Sequence, residues 1–225
     1  MKGTTELKLD NGTVVKLSPE DKLIIEIVEP GSRVLDLGCG DGDLIKALEV
    51  LKDARAEGIE LSEECIQKCV AKGIFNVYHG NLDEGLANYG DRTMDYVILS
   101  NTIQVLHRPL FLIQEMIRVG KKCVIGFPNM AHWVPRVQLF FRGRMPRTAR
   151  LPYDWYDSPN IHLTTIKDFR EFCRKISFRV ISEFDLHTRS DGKYIRVKFW
   201  PNLLADEALF VLEAEPDLRA GKGEG

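Results

Sequence analysis

The sequence predicts an α/β domain whose mostly parallel sheet is covered by helices on both faces. Three observations carry that prediction. Short apolar runs alternate with segments of helical period. The runs are apolar along their length, as strands buried on both faces must be, rather than alternating as half-solvated strands do. The first run also opens directly into a glycine-rich turn followed by a helix, the usual ligand-binding corner of an open α/β sheet.

Each element has a local reason. Ser18-Pro19-Glu20-Asp21 is a helix start: a capping hydroxyl, proline at the first position, and acids in the first turn. Leu23, Ile24, Ile27 and Val28 keep helical spacing, and Pro30-Gly31 ends the helix. Strand Arg33 to Leu37 leads through glycines into a helix from Asp43 to Leu51. The unit repeats as strand 54–61, helix 63–72 and strand 75–79, then strand 94–99, helix 110–119 and strand 123–127. A helix near 133–141 precedes an aperiodic segment rich in proline, arginine and aromatic residues. Helix 165–175 and closing strands 176–186 and 209–214 complete the pattern. A single domain over 1–217 follows, with the irregular insert at about 128–164. The tail 218–225, with no large apolar residue after Leu218, is expected to fray.

Composition narrows the function classes. A net charge of -2 with 28% charged and 44% hydrophobic residues gives no electrostatic case for nucleic acid. The local basic cluster Arg136, Arg142, Arg144, Arg147 and Arg150 reads as a solvated or interface face. No apolar run approaches the roughly 20 residues that span a bilayer, and no secretory h-region follows Met1, so a cytoplasmic protein is expected. The five cysteines are odd in number and scattered, and Cys65 and Cys69 have no second pair to complete a zinc site. Reduced thiols and no metal are expected.

The loop Asp36-Leu37-Gly38-Cys39-Gly40-Asp41-Gly42 puts three glycines at alternate positions, where the backbone must turn sharply and lie against a ligand. Asp43 stands where a dinucleotide fingerprint wants its last glycine. Asp36, Asp41 and Asp43 would each repel a pyrophosphate, at about 4 kcal/mol per like-charge contact at 4 Å near a surface. The same acids attract a sulfonium and an ammonium, so they favour S-adenosylmethionine or S-adenosylhomocysteine over a nicotinamide dinucleotide. Glu60 ends the second strand of this unit, in reach of the usual spacing for an acceptor of both ribose hydroxyls. Asn81, after the third strand, is either an adenine contact or a structural turn residue.

With its D-x-G-x-G-x-G loop and spaced acid, the segment from Val34 to Phe127 resembles the class I S-adenosylmethionine-dependent methyltransferases. That resemblance implies a Rossmann-like sheet of seven strands, the last antiparallel. It also implies a cofactor site of Asp36, Gly38, Cys39, Gly40, Gly42, Glu60, Leu61, Asn81, Leu82 and Ser100. The acceptor side is not legible. Gln104, His107 and His132 are the candidates for a catalytic base, and no [DNS]-P-P-[YFW] clamp is present.

The strings Asp36-Leu37-Gly38-Cys39-Gly40-Asp41-Gly42, Gly80-Asn81-Leu82-Asp83-Glu84-Gly85-Leu86 and Trp155-Tyr156-Asp157-Ser158-Pro159-Asn160-Ile161-His162 together closely resemble the MetW family of methionine biosynthesis. Asn101 stands where that family has a glutamine, and Asn81 where it has an aspartate. The resemblance implies a protein that works with homoserine O-acetyltransferase (MetX), with an active methyltransferase on a small metabolite as the alternative. The insert suits docking, because prolines reduce the entropy lost on binding and Tyr, Trp and Arg anchor interfaces. Trp133, Arg136, Arg144, Tyr153, Trp155, Tyr156 and His162 are therefore expected to form a partner surface or a lid over the cofactor. Asp157, Asn160 and His162 are expected to pin the turn through a polar network.

Overall fold

The computed structural model describes residues 4–9, 12–148, 150–176, 178–189 and 193–214; the expected tail at 218–225 lies outside them. Helix α1 (Pro19–Ile27) starts as its sequence demands. The Ser18 hydroxyl accepts the N–H of Asp21 at 3.0 Å, and the Asp21 carboxylate accepts the N–H of Ser18 at 2.7 Å. Strand β3 (Arg33–Leu37) then enters the sheet and is followed by α2 (Asp43–Lys52), β4 (Arg55–Glu60), α3 (Glu63–Ala71) and β5 (Val77–His79). Strand β6 (Met94–Ser100), α4 (Pro109–Val119) and β7 (Gly120–Pro128) complete the parallel part. Helices α5 (Trp133–Arg142) and α6 (Ile166–Lys175), strands β8 (Phe178–Thr188) and β9 (Tyr194–Arg196), the short α7 (Pro201–Leu204) and β10 (Glu207–Ala214) follow.

Among the described residues the main sheet has the order β5-β4-β3-β6-β7-β10-β8-β9. Strands β3 to β7 pair in parallel. The last strand, β10, runs antiparallel between β7 and β8. The expected seven strands are thus joined by an eighth, β9, which pairs with β8 at the edge. Three residues were too few to leave a readable period. A second feature unforeseen from the sequence is a separate hairpin of β1 (Thr5–Lys8) and β2 (Val14–Leu17). Its signal was available in Asn11-Gly12, a strong hairpin dipeptide, ahead of the alternating run Val14 to Leu17.

Period-two alternation divides the core between the two sheet faces. Leu35, Val97, Leu99, Ile125 and Phe127 point to the side covered by α4 and α6. Val34, Tyr96, Ile98 and Val124 point to the side covered by α1, α2 and α3. Phe127, Phe169 and Phe210 pack at 4.8–5.8 Å between ring centroids where α6 meets the sheet. The run 94–99 is not wholly apolar: Asp95, at the entry of β6, accepts the N–H of Arg33 at 2.8 Å and pairs with Lys121 at 2.7 Å. Among the described residues no helix is long and apolar enough to cross a membrane.

Candidate functional site

The order of strands reverses between β3 and β6, and the loop after β3 opens there into a cleft of about 750 Å³. All three loop glycines have positive φ: 75° at Gly38, 55° at Gly40 and 75° at Gly42. A Cβ on Gly42 would stand 2.6 Å from Ile74 and 2.8 Å from Cys69, whereas one on Gly40 meets nothing within 4 Å. Gly42 is therefore a packing glycine and Gly40 keeps the cleft open. Gly42→Ala is expected to destabilise the protein by about 2–4 kcal/mol, from overpacking and left-handed strain together. Gly40→Ala should cost only about 1–2 kcal/mol. Thermal denaturation of the two variants checks the difference, and equal losses would contradict it.

Asp36 lies at the cleft, only 4% exposed. Burial, and then the charges of Asp21 and Glu60, push its carboxyl up to about 8. Asp21, on the same cleft, is also raised by burial. The remaining loop acids are offset: Asp43 pairs with Lys72 at 2.6 Å and Asp41 with Lys68 at 3.4 Å. The bias toward a cation therefore comes from Asp36 and Asp21, not from three equivalent loop carboxylates. Helix α3 supplies Lys68 and its C-terminal cap supplies Lys72, so the neutralisation is a long-range contact that loop composition does not reveal.

The expected cofactor residues divide. Asp36, Gly38, Cys39, Gly40 and Ser100 line the cleft, while Gly42 sits behind it. Glu60 turns its carboxylate to the loop, accepting the N–H of Gly40 at 2.9 Å and of Ser62 at 2.8 Å. That leaves lone pairs free for further donors. Asn81 caps the short 3₁₀ turn Leu82–Glu84, its side-chain oxygen accepting the N–H of Asp83. Leu82 is buried in the core and Leu61 is exposed. Sequence reasoning missed Thr4, Glu6 and Lys16, which the hairpin β1–β2 brings to the cleft, and Asp21 from α1.

None of the candidate bases lines the cleft. His107 is exposed in the turn before α4. Gln104 is buried: its side-chain amide donates to the carbonyl of Asn101 at 2.7 Å, and its backbone carbonyl accepts the N–H groups of Ile161 and His162. His132 caps α5 beneath the insert. The insert is pinned by those backbone bonds to Gln104 and not through side chains of Asp157, Asn160 and His162. Asn160 instead donates its backbone N–H to Ser158, and Asp157 donates its own to the carbonyl of Asp154.

The insert does not roof the cleft. Trp133, Tyr153, Trp155 and Tyr156 line none of it and face solvent, with Trp155 77% exposed. The arginines also resolve individually. Arg136 holds the carbonyl of Ala131, Arg147 makes a two-pronged contact with Asp154, and Arg150 reaches the buried Glu207 at 2.5 Å; Arg144 remains exposed.

Strand order, glycine loop and acid-floored cleft define the class: an α/β protein with the fold of the class I S-adenosylmethionine-dependent methyltransferases. Solved structures agree in fold. A possible histamine N-methyltransferase of Thermotoga maritima superposes with a TM-score of 0.63 over 87% of each chain at 14% identity. An S-adenosylmethionine-dependent methyltransferase of Archaeoglobus fulgidus gives 0.61 over 85% of this chain and 93% of its own, at 17% identity. Within that class the chain belongs to the methionine biosynthesis protein MetW family, whose profile matches residues 19–212. It is 33% identical over 210 residues to a bifunctional methionine biosynthesis protein MetXA/MetW of Rhodopirellula baltica, covering 89% of this chain and 33% of that one. It is 30% identical over 138 residues to a demethylmenaquinone methyltransferase of Bacillus mycoides, covering 55% of this chain and 57% of that one. The chain thus spans about a third and rather more than half, respectively, of these curated relatives.

Proposed function

We propose that this protein binds S-adenosylmethionine or S-adenosylhomocysteine in the cleft after β3 and acts on homoserine O-acetyltransferase as a protein partner. The observation that carries the partner is the relative in which MetXA and MetW share one polypeptide. The cofactor is supported by a floor of one buried acid, Asp36, and one half-buried acid, Asp21, by the open backbone at Gly40, and by Glu60 with free lone pairs beside the loop. Asp36 meets the amino group, and the bound cofactor contributes its positive charge.

Helix α5 supplies the docking face. Trp133, Val137, Phe140 and Phe141 fall at i, i+4, i+7 and i+8, an apolar stripe of the kind that usually faces a core. Here it faces solvent, with Phe140 83% exposed, and Trp155 and Tyr156 of the insert are exposed as well. Exposed aromatic side chains of this kind anchor protein interfaces.

The test is the acetyltransferase assay with and without this protein across cofactor concentrations, with co-purification of the two proteins. Phe140→Ser combined with Trp155→Ser is expected to weaken association by at least about 30-fold, the loss of one interface anchor of 2 kcal/mol or more. The melting temperature should hardly change, since both side chains are exposed. Unchanged association would remove α5 from the interface, and an acetylation rate indifferent to this protein would remove the partner.

A further inference from the structure

A second chamber, of about 220 Å³, lies under the insert between β7, the N-terminus of α5 and the entry to β10. It shares the carboxyl edge of the sheet with the cleft but none of its lining residues. Its size is below the roughly 300–1,000 Å³ of drug-sized sites and suits a small metabolite. Of the five polar side chains that line it, Asn129 and Thr148 serve backbone groups, and three are of complementary character: His132, Arg150 and Asp206.

Each has unused capacity. His132 is 7% exposed, and its Nδ1 accepts the N–H of Val134 at 3.5 Å, so the proton belongs on Nε2. That Nε2 is buried with no partner among the described residues, an arrangement that costs free energy unless a ligand or water accepts from it. Arg150 uses only Nη2, on Thr188 at 2.7 Å and Glu207, leaving its Nε and Nη1 donors. Asp206 accepts the N–H of Thr188 at 3.2 Å through both oxygens, each with a lone pair left, and stands 3.4 Å from His187. Donors at His132 and Arg150 match a carboxylate, and the Asp206 acceptor matches an ammonium. The apolar remainder, including Leu151, Pro128 and Val134, leaves space for a short side chain.

We infer that this chamber is a binding site for a small α-amino acid, distinct from the cofactor cleft. The inference depends on neither the cofactor nor the partner proposed above. Titration calorimetry with L-serine, glycine, acetate and ethylamine tests it, with and without saturating S-adenosylhomocysteine. L-serine or glycine is expected to bind saturably below about 10 mM, and acetate and ethylamine at least about tenfold more weakly, since each keeps one half of the charge match. S-adenosylhomocysteine should not displace the amino acid. His132→Asn retains a helix-capping side chain but withdraws Nε2, and should weaken binding at least about tenfold with the melting temperature retained. Arg150→Lys keeps the charge beside Glu207 but loses the guanidinium fork, and should weaken it likewise. Absence of saturable binding, displacement by S-adenosylhomocysteine, equal binding of acetate, or unaltered affinity in both variants would each overturn the assignment.

Discussion

Asp36→Asn is expected to weaken binding of S-adenosylmethionine by about 10–100-fold at pH 8 and to flatten its dependence on pH. The variant loses a charge-assisted hydrogen bond of about 1.5–3 kcal/mol to the ligand's ammonium. Because the Asp36 carboxyl in the empty protein is pushed up to about 8 by burial, it holds a proton at pH 6 that a cationic ligand must displace. Affinity for the cation should therefore rise with pH and level off above 8. The gain between pH 6 and pH 8 is roughly fiftyfold, from the change in ionised fraction alone. Stability moves in the opposite direction. The folded state keeps a proton that the unfolded chain releases above the ordinary carboxylate value of 3.8, so stability of the empty protein falls as pH rises from there toward 8. Asp36→Asn should accordingly melt higher than the parent at pH 8 and not at pH 4. Calorimetric titrations at pH 6, 7 and 8 decide the first point, and a parent affinity independent of pH would refute it.

Arg150→Ala should be the most damaging substitution in the insert. Glu20 and Glu207 are both wholly buried, and Oε1 of each lacks a donor among the described residues. Burial first, and the Glu207 charge second, hold the Glu20 carboxyl well above the ordinary range. A proton on Glu20 supplies the missing donor between the two. The charge that remains on Glu207 is balanced by Arg150, while Asn101 donates to the other oxygen of Glu20. Removing the guanidinium leaves a buried carboxylate without compensation, which costs about 3–5 kcal/mol. For a domain of this length that corresponds to a fall in melting temperature of about 6–20 °C. Limited proteolysis should also cut the insert faster, since Arg150 ties it to β10. A fall of less than about 3 °C would show that the buried pair has another counter-charge.

Much of this arrangement was readable in advance. Helix α1 begins at Pro19 because the capping box of Ser18 and Asp21 is local, satisfied within four residues. The parallel strands announced themselves because burial on both faces selects apolar residues throughout, and the glycine loop because only glycine takes left-handed backbone there without strain. Asp36 was identifiable from its place at the end of β3. Strand β9 was not, because three residues carry no period. The hairpin β1–β2 carried a turn signal, but nothing local says that it will lie beside the cleft.

What the sequence determined by itself was the class of fold, the glycine loop with its acid, and an insert rich in potential anchors. Each is written in short-range pattern: period, spacing and turn chemistry. The tertiary structure decided which of those features act. Lys68 of α3 and Lys72 at its C-terminal cap offset Asp41 and Asp43, leaving Asp36 and Asp21 as the cleft acids without a paired cation among the described residues. The apolar stripe of α5, by its period indistinguishable from a core face, turns outward, and Arg150 turns inward to a buried glutamate 57 residues away. Charge compensation and burial are pairings between distant segments, and chain pattern encodes what a segment can present but not which neighbour it meets.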